Sequence, residues 1–164
     1  SKSGEKLSWI TFPRPTALAH EHLEFLQDLF HLQTGETYSN KLMKEMPVTG
    51  FAGSIILSDE SSFSNFNSES KIFGTLWAMK IDEDNVRILS FVISKDLQRI
   101  GLGRWGWEKF CSIAKKNGFT KVQLEVKDDN LHAIKFYKMN GLKCVGTLSE
   151  YYRGSVGLVM QGTL

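Results

Sequence analysis

Cysteine is scarce in this chain of 164 residues: Cys111 and Cys144 are the only two, and they form no Cys-x-x-Cys pair. That usage fits a reducing, intracellular setting, so a cytoplasmic location is expected, with the nucleus left open. An excess of charge of one sign is also lacking, with 20 Lys and Arg against 18 Asp and Glu and a net charge of +2. A nucleic-acid binder would carry a concentrated basic stripe, and none is present. The longest apolar runs, such as Phe51–Leu57, are strand-sized and far short of a membrane span. Neither nucleic acid nor membrane is therefore expected as a partner. The four histidines, His20, His22, His31 and His132, show no zinc-ligand spacing, so they read as structural or surface residues and no metal is expected. Residues 1–6, SKSGEK, lack the apolar core of a signal peptide and do not begin with Met. No internal repeat is evident. With 41% hydrophobic residues, the length predicts a single domain over residues 1–164.

What is present centres on Leu89 to Gly103, LSFVISKDLQRIGLG. It reads as a buried apolar strand over Ile88 to Ile93, a polar turn over Ser94 to Leu97, and a glycine-rich entry into a helix. Gln98, Gly101 and Gly103 give the spacing Q-x-x-G-x-G, followed by Arg104. Such a strand–turn–helix offers free backbone N–H groups at the positive end of a helix, which suits a phosphate. Glycine there lets phosphate oxygens approach the backbone. The same residues also serve an ordinary strand-to-helix turn, and this stretch alone does not decide between the two.

Along the chain, Leu7–Phe12 predicts a strand stopped by Pro13 and Pro15. Leu18, His22, Phe25, Leu26, Leu29 and Phe30 have helical period, with Thr16 as N-cap and Gly35 as the stop. A shorter helix is expected from Ser39 to Met46, before Pro47. The loop between them, Thr34–Asn40, holds a carboxylate and an aromatic, which suits either a connection or a binding rim. Strands are expected at Phe51–Leu57 and Ile72–Ile81, joined by SDESSFSNFNSESK, whose composition predicts a long mobile loop. Asp82–Asn85 is a tight turn into the strand Val86–Ile93. A helix over Leu102–Asn117, a strand Val122–Lys127, a helix Leu131–Met139 and a hairpin of Leu142–Leu148 with Val156–Gln161 complete the pattern. Strand–helix–strand makes a parallel pair with a right-handed crossover, whereas the earlier strands should be antiparallel. The expected fold class is mixed α/β, a mixed central sheet with flanking helices.

In Val122–Lys127 the apolar residues Val122, Leu124 and Val126 alternate with Gln123, Glu125 and Lys127. A strand paired in parallel is usually covered on both faces, so a polar face opens to solvent or into a cleft. Glu125 is then either a solvated carboxylate or a cleft residue. On the following helix Asn130, Ala133, Ile134 and Tyr137 share one face. A Tyr on such a face is a core residue with a bonded hydroxyl, or a catalyst.

The segment LEVKDDNLHAIKFYKMNGLKCVGTLSEYY resembles the second half of the GNAT superfamily, the acetyl-coenzyme A-dependent N-acetyltransferases. It has that family's Leu-Glu-Val strand end, its Asn-x-x-Ala-Ile-x-x-Tyr helix and a Gly after the helix. QRIGLG is similar to the family's pyrophosphate loop, and the two motifs stand in the expected order over roughly residues 86–152. Within the superfamily the chain looks most like protein N-terminal acetyltransferases. It shares Leu-Glu-Val and Tyr with the RimI-type ribosomal-protein-alanine acetyltransferases. With the eukaryotic catalytic subunits it shares a Tyr-Tyr pair, here Tyr151-Tyr152, and a Glu-x-Tyr, here Glu36-Thr37-Tyr38. The chain departs from the pattern at Lys95-Asp96-Leu97, without the usual Pro and aromatic, and at Leu142, where a Phe is usual. Arg87 stands where some relatives have a catalytic Tyr, and Glu125 where some have a His.

The resemblance implies the acyl-CoA N-acyltransferase fold, acetyl-CoA as cosubstrate and a direct transfer to an amine. The backbone of Phe91, Val92 and Ile93 would pair with the pantetheine arm, and Gln98, Arg99, Gly101, Gly103 and Arg104 would cradle the pyrophosphate. Asn130 would line the cofactor channel and Tyr137 would sit by the sulfur. Glu36, Tyr38, Tyr151 and Tyr152 would hold the first residues of a protein or peptide N-terminus, and an auxiliary subunit is left open. Only a neutral amine attacks a thioester. About a tenth to a third of α-amines are neutral near pH 7, against about 0.04% of lysines. One carboxylate is therefore enough help, Glu125 first and Glu36 second, with the Tyr137 phenol protonating the leaving thiolate and an N–H near Val92 steadying the oxyanion. A small amine (polyamine or aminoglycoside), a lysine side chain, or a non-catalytic acyl-CoA-binding module are the alternatives.

Overall fold

Alternating apolar positions in the strands and three- to four-residue spacing in the helices produce the architecture of the computed structural model, which describes residues 6–12, 18–45, 53–151 and 154–164. In chain order the elements are β1 (Ser8–Thr11), α1 (His20–Thr34), α2 (Asn40–Lys44), β2 (Ile55–Ser58), β3 (Ile72–Lys80) and β4 (Asn85–Ile93). There follow α3 (Leu102–Lys116), β5 (Lys121–Lys127), α4 (Leu131–Met139), β6 (Lys143–Leu148) and β7 (Gly157–Thr163). The strands form a mixed seven-stranded sheet in the order β1-β2-β3-β4-β5-β7-β6. β1 with β2 and β2 with β3 are antiparallel, β4 with β5 is parallel, and β7 is antiparallel to both β5 and β6. The chain divides into two compact units, residues 1–79 with 89–113 and residues 80–88 with 114–164, so that β4 and α3 contribute to both.

In the first unit α1 turns Leu23, Leu26, Leu29 and Phe30 inward, at the spacing that keeps one helical face together. Each buried side chain of this size contributes about 2 kcal/mol. They join Ile10, Phe12, Ile56 and Trp77 in the core. Phe25, expected on that face, is 42% exposed, because it sits one residue, about 100°, from Leu26. The expected start of this helix also moves. Its N-cap is Ala19, whose N–H donates to Nδ1 of His22 at 3.1 Å, so His22 replaces a side-chain cap. Thr16 lies outside the described residues, as do Pro13, Pro15, Met46, Pro47 and Phe51. The stop is as expected: Gly35 adopts φ 75° and its N–H returns to the His31 carbonyl. Ser39 caps α2 by accepting from the Leu42 N–H.

The polar segment after β2, expected as a long loop, carries two aromatics that reach the core of the first unit. Phe63 and Phe66 stand edge-on against Phe12 at 5.2 and 5.1 Å. Its Ser and Asp side chains bond the neighbouring backbone, Ser58 Oγ to the Lys71 carbonyl and Asp59 Oδ1 to the Lys71 N–H.

In the second unit β5 pairs with β7 along its whole length, Lys121 opposite Thr163 through Lys127 opposite Gly157. Val122, Leu124 and Val126 are buried, and the alternate residues Gln123, Glu125 and Lys127 are half-buried. On α4, Ile134 and Tyr137 are the buried residues. The turn into β4 is closed by Asp82, whose carboxylate accepts from the Asn85 amide and from the N–H of Asp84, which hold its pKa below the usual carboxylate value. Among the described residues no helix is long and apolar enough to cross a membrane.

Candidate active site

The first unit supplies the turn between β4 and α3. β4 reaches it beside a glycine that sequence reasoning passed over: a Cβ on Gly74 would stand 2.6 Å from the Val92 carbonyl oxygen. Only glycine lets β3 come so near the end of β4. The Ser94 N–H donates to the Phe73 carbonyl at 2.7 Å, and Lys95–Leu97 form one 3₁₀ turn. Gln98 then folds back, its amide donating to the Ile93 carbonyl at 2.8 Å. The Gln33 amide, from the last turn of α1, donates to the same oxygen.

A carbonyl has two lone pairs, and both of these are taken. Of the three residues expected to meet a pantetheine arm, Ile93 therefore has an acceptor already filled, and the Gln98 side chain is committed to the strand.

Arg99 at φ 62° and Gly101 at φ 92° turn the chain into α3. A Cβ on Gly101 would meet nothing within 4 Å, so open space adjoins the backbone there. The first helical bond runs from the Trp105 N–H to the Gly101 carbonyl, which leaves the N–H groups of Leu102, Gly103 and Arg104 ahead of the intrahelical ladder. Arg99 and Arg104 are exposed on either side, Arg104 being paired with Glu108 at 3.0 Å. Free N–H groups, a helix N-terminus and two guanidinium groups fit a pyrophosphate.

This helix is seated with care. A Cβ on Gly106 would lie 2.5 Å from the Trp9 indole, whose Nε1 donates to the Leu102 carbonyl at 2.9 Å. Lys109 donates to the Trp9 carbonyl, and burial draws its pKa down. Phe91 stacks on Trp107 with ring centres 6.1 Å apart.

The same unit carries the loop between α1 and α2. Tyr38 donates its hydroxyl to the Glu36 carboxylate and packs edge-on against Phe30 at 5.6 Å. The two residues expected there are thus brought together, with Glu36 held by the phenol.

The second unit carries Glu125, Asn130, Tyr137 and Tyr151. The parallel ladder sets Arg87 of β4 opposite Gln123 of β5, which places Arg87 diagonally across from Glu125 on one face. Arg87 Nε donates to Glu125 Oε2 at 3.0 Å, and the Glu125 side chain is only 11% exposed. Asn130 caps α4, its side chain accepting from the Ala133 N–H at 3.3 Å. Tyr137 is 8% exposed. Burial, and next the nearby Tyr151, push its pKa up well beyond the ordinary phenol value. Tyr151 in turn is seated by its N–H bond to the Ser155 carbonyl and by Gly157, where a Cβ would stand 2.5 Å from Tyr151 Cγ. Tyr152 lies outside the described residues. Among the described residues no group of three or more His, Cys, Asp or Glu could hold a metal ion.

The model of the acetyltransferase (GNAT) family matches residues 23–142, and the chain belongs to that family. It is an acetyl-CoA-dependent acetyltransferase. Solved structures of the same fold include Ard1 from Thermoplasma volcanium, with 23% identity, TM-score 0.76, and 96% of this chain and 97% of that one covered. The ribosomal-protein-S18-alanine N-acetyltransferase from Escherichia coli follows at 18% identity and TM-score 0.72, covering 96% and 94%. Arabidopsis thaliana Naa50 in complex with the bisubstrate analogue CoA-Ac-MVNAL has 18% identity and TM-score 0.70, covering 96% and 99%. No curated protein sequence matches.

Proposed function

We propose that this acetyltransferase acts on the α-amino group of a protein or peptide N-terminus. The observation that carries the reading is the Tyr151 ring, seated over Gly157, which β7 sets opposite Lys127 at the end of the strand that carries Glu125. A residue suited to a peptide's first positions thereby stands at the end of the strand that carries the base. The ribosomal-protein-S18-alanine N-acetyltransferase and the complex of Naa50 with CoA-Ac-MVNAL, both of this fold, support it.

Acetyl-CoA supplies an acetyl group activated as a thioester. The α3 N–H groups with Arg99 and Arg104 bind its pyrophosphate, and Gly101 keeps the backbone within reach. Glu36 and Tyr38 of the first unit suit a peptide's first residues, as does Tyr151 of the second. Glu125 takes a proton from the amine, directly or through one water, since only the neutral amine attacks. A β4 N–H near Val92, on the side turned away from β3, donates to the acyl oxygen as its charge grows. Tyr137, kept as the neutral phenol, gives its proton to the departing sulfur.

The test is mass spectrometry of a peptide panel incubated with the enzyme and acetyl-CoA, alongside spermidine and an N-terminally blocked lysine peptide. Acetylation at free α-amines in preference to the other two is expected. Mostly Nε-acetyl-lysine, or faster turnover of spermidine, would overturn it.

A further inference from the structure

The Arg87–Glu125 pair has a specific setting. Glu125 is nearly buried, and a carboxylate there requires a partner. The strand on its other side offers none, because β7 places Gln161 opposite Gln123 and Val159 opposite Glu125. The cation comes from β4, through the three-residue parallel ladder that ends at Arg87 and Gln123. Its Nε takes Oε2 alone, and Oε1 has no hydrogen bond among the described residues.

We propose that Arg87 is a positioning residue that fixes Glu125 in one rotamer, with Oε2 committed to the guanidinium and Oε1 left as the oxygen that accepts the amine's proton. This rests on the reading of Glu125 as the base. In the step itself one N–H bond of the amine breaks and one O–H bond at Oε1 forms. The guanidinium gains and loses nothing. Its effect is geometric, and it acts only through Glu125. Lysine at this position would keep the charge without the planar fork that sets the angle of approach.

The experiment is a double-mutant cycle with Arg87→Gln and Glu125→Gln, read as kcat and KM on a fixed peptide, with acetyl-CoA binding by calorimetry to report the intact fold. Arg87→Gln should lower kcat about tenfold or more, the scale on which misplacing a catalytic group acts, and leave acetyl-CoA affinity unchanged. Added to Glu125→Gln it should cost nothing further, because its route is already cut. Arg87→Lys should keep part of the rate, and millimolar guanidinium should restore part of it to Arg87→Ala in the Glu125 background only. Additive losses in the cycle, or a loss confined to KM, would overturn the positioning role while leaving Glu125 as base. If Glu125→Gln alone keeps full kcat with acetyl-CoA still bound, the base assignment falls, and the role given to Arg87 falls with it.

Discussion

Substituting Gly157 by Ala should disable the peptide side of this enzyme and spare the cofactor side. The added Cβ would stand 2.5 Å from Tyr151 Cγ and 2.9 Å from its Cβ and Cδ1. Carbon atoms settle at about 3.5 Å or more, so the ring has to retreat by about 1 Å. Ring rotation cannot clear a contact at the Tyr151 Cβ, so the backbone around Tyr151 has to give as well. The expected cost in stability is that of overpacking, about 1–3 kcal/mol. Displacing a substrate-positioning ring by about 1 Å weakens catalysis by up to about 100-fold. The expected result is a peptide kcat/KM lowered about 10- to 100-fold, carried mainly by KM. Acetyl-CoA affinity by calorimetry should match the parent protein, since the cofactor turn is built from other residues. Parent-like peptide kinetics in a folded Gly157→Ala protein would refute the role given to Tyr151. A loss of acetyl-CoA affinity would refute the separation of the two functions.

Three further outcomes are expected at Gly101 and Tyr137. Gly101→Val should weaken acetyl-CoA binding at least tenfold in calorimetry with the circular dichroism spectrum retained, because φ 92° costs a branched residue about 1–3 kcal/mol and the straightened turn withdraws its N–H groups. Unchanged affinity would remove the turn from the cofactor site. Tyr137→Phe should lower kcat by a factor that stays constant as pH rises toward 10, because the parent phenol remains protonated beyond its ordinary value of 10.0. The same raised pKa stabilises the fold fully below pH 10.0 and is lost as pH climbs above it, where the unfolded phenol ionises first. Denaturation midpoints should therefore fall less steeply above that pH in Tyr137→Phe than in the parent, and equal slopes would contradict the burial of this phenol.

The strands and helices of the second unit were legible because their patterns are local. α4 spans Leu131–Met139 as its spacing predicts, and β5 alternates buried and half-buried residues along its length. The turn after β4 was legible for the same reason, since Gly101 advertises its positive φ by being glycine. Gly74, Gly106 and Gly157 were not. Gly74 and Gly106 make room for atoms distant in sequence, a carbonyl of β4 and an indole of β1, and Gly157 for the Tyr151 ring six residues earlier, which meets it only once the last loop has closed. The α1 start was misplaced because a histidine, rather than Ser, Thr, Asp or Asn, meets the N-terminal N–H. The Arg87–Glu125 pair required the register of the parallel ladder, which spacing alone does not supply.

The knot at the Ile93 carbonyl bears on how far such enzymes can be recombined. Gln98, from the phosphate turn, and Gln33, three residues ahead of Glu36, are tied to one oxygen atom. A chimera that exchanges the α1–α2 loop to change which peptides are accepted, but leaves out residue 33, would strand half of that tie inside the cofactor turn. The graft boundary that respects these bonds lies one helical turn upstream of the residues proposed to meet substrate, and helix and loop belong in the exchange together.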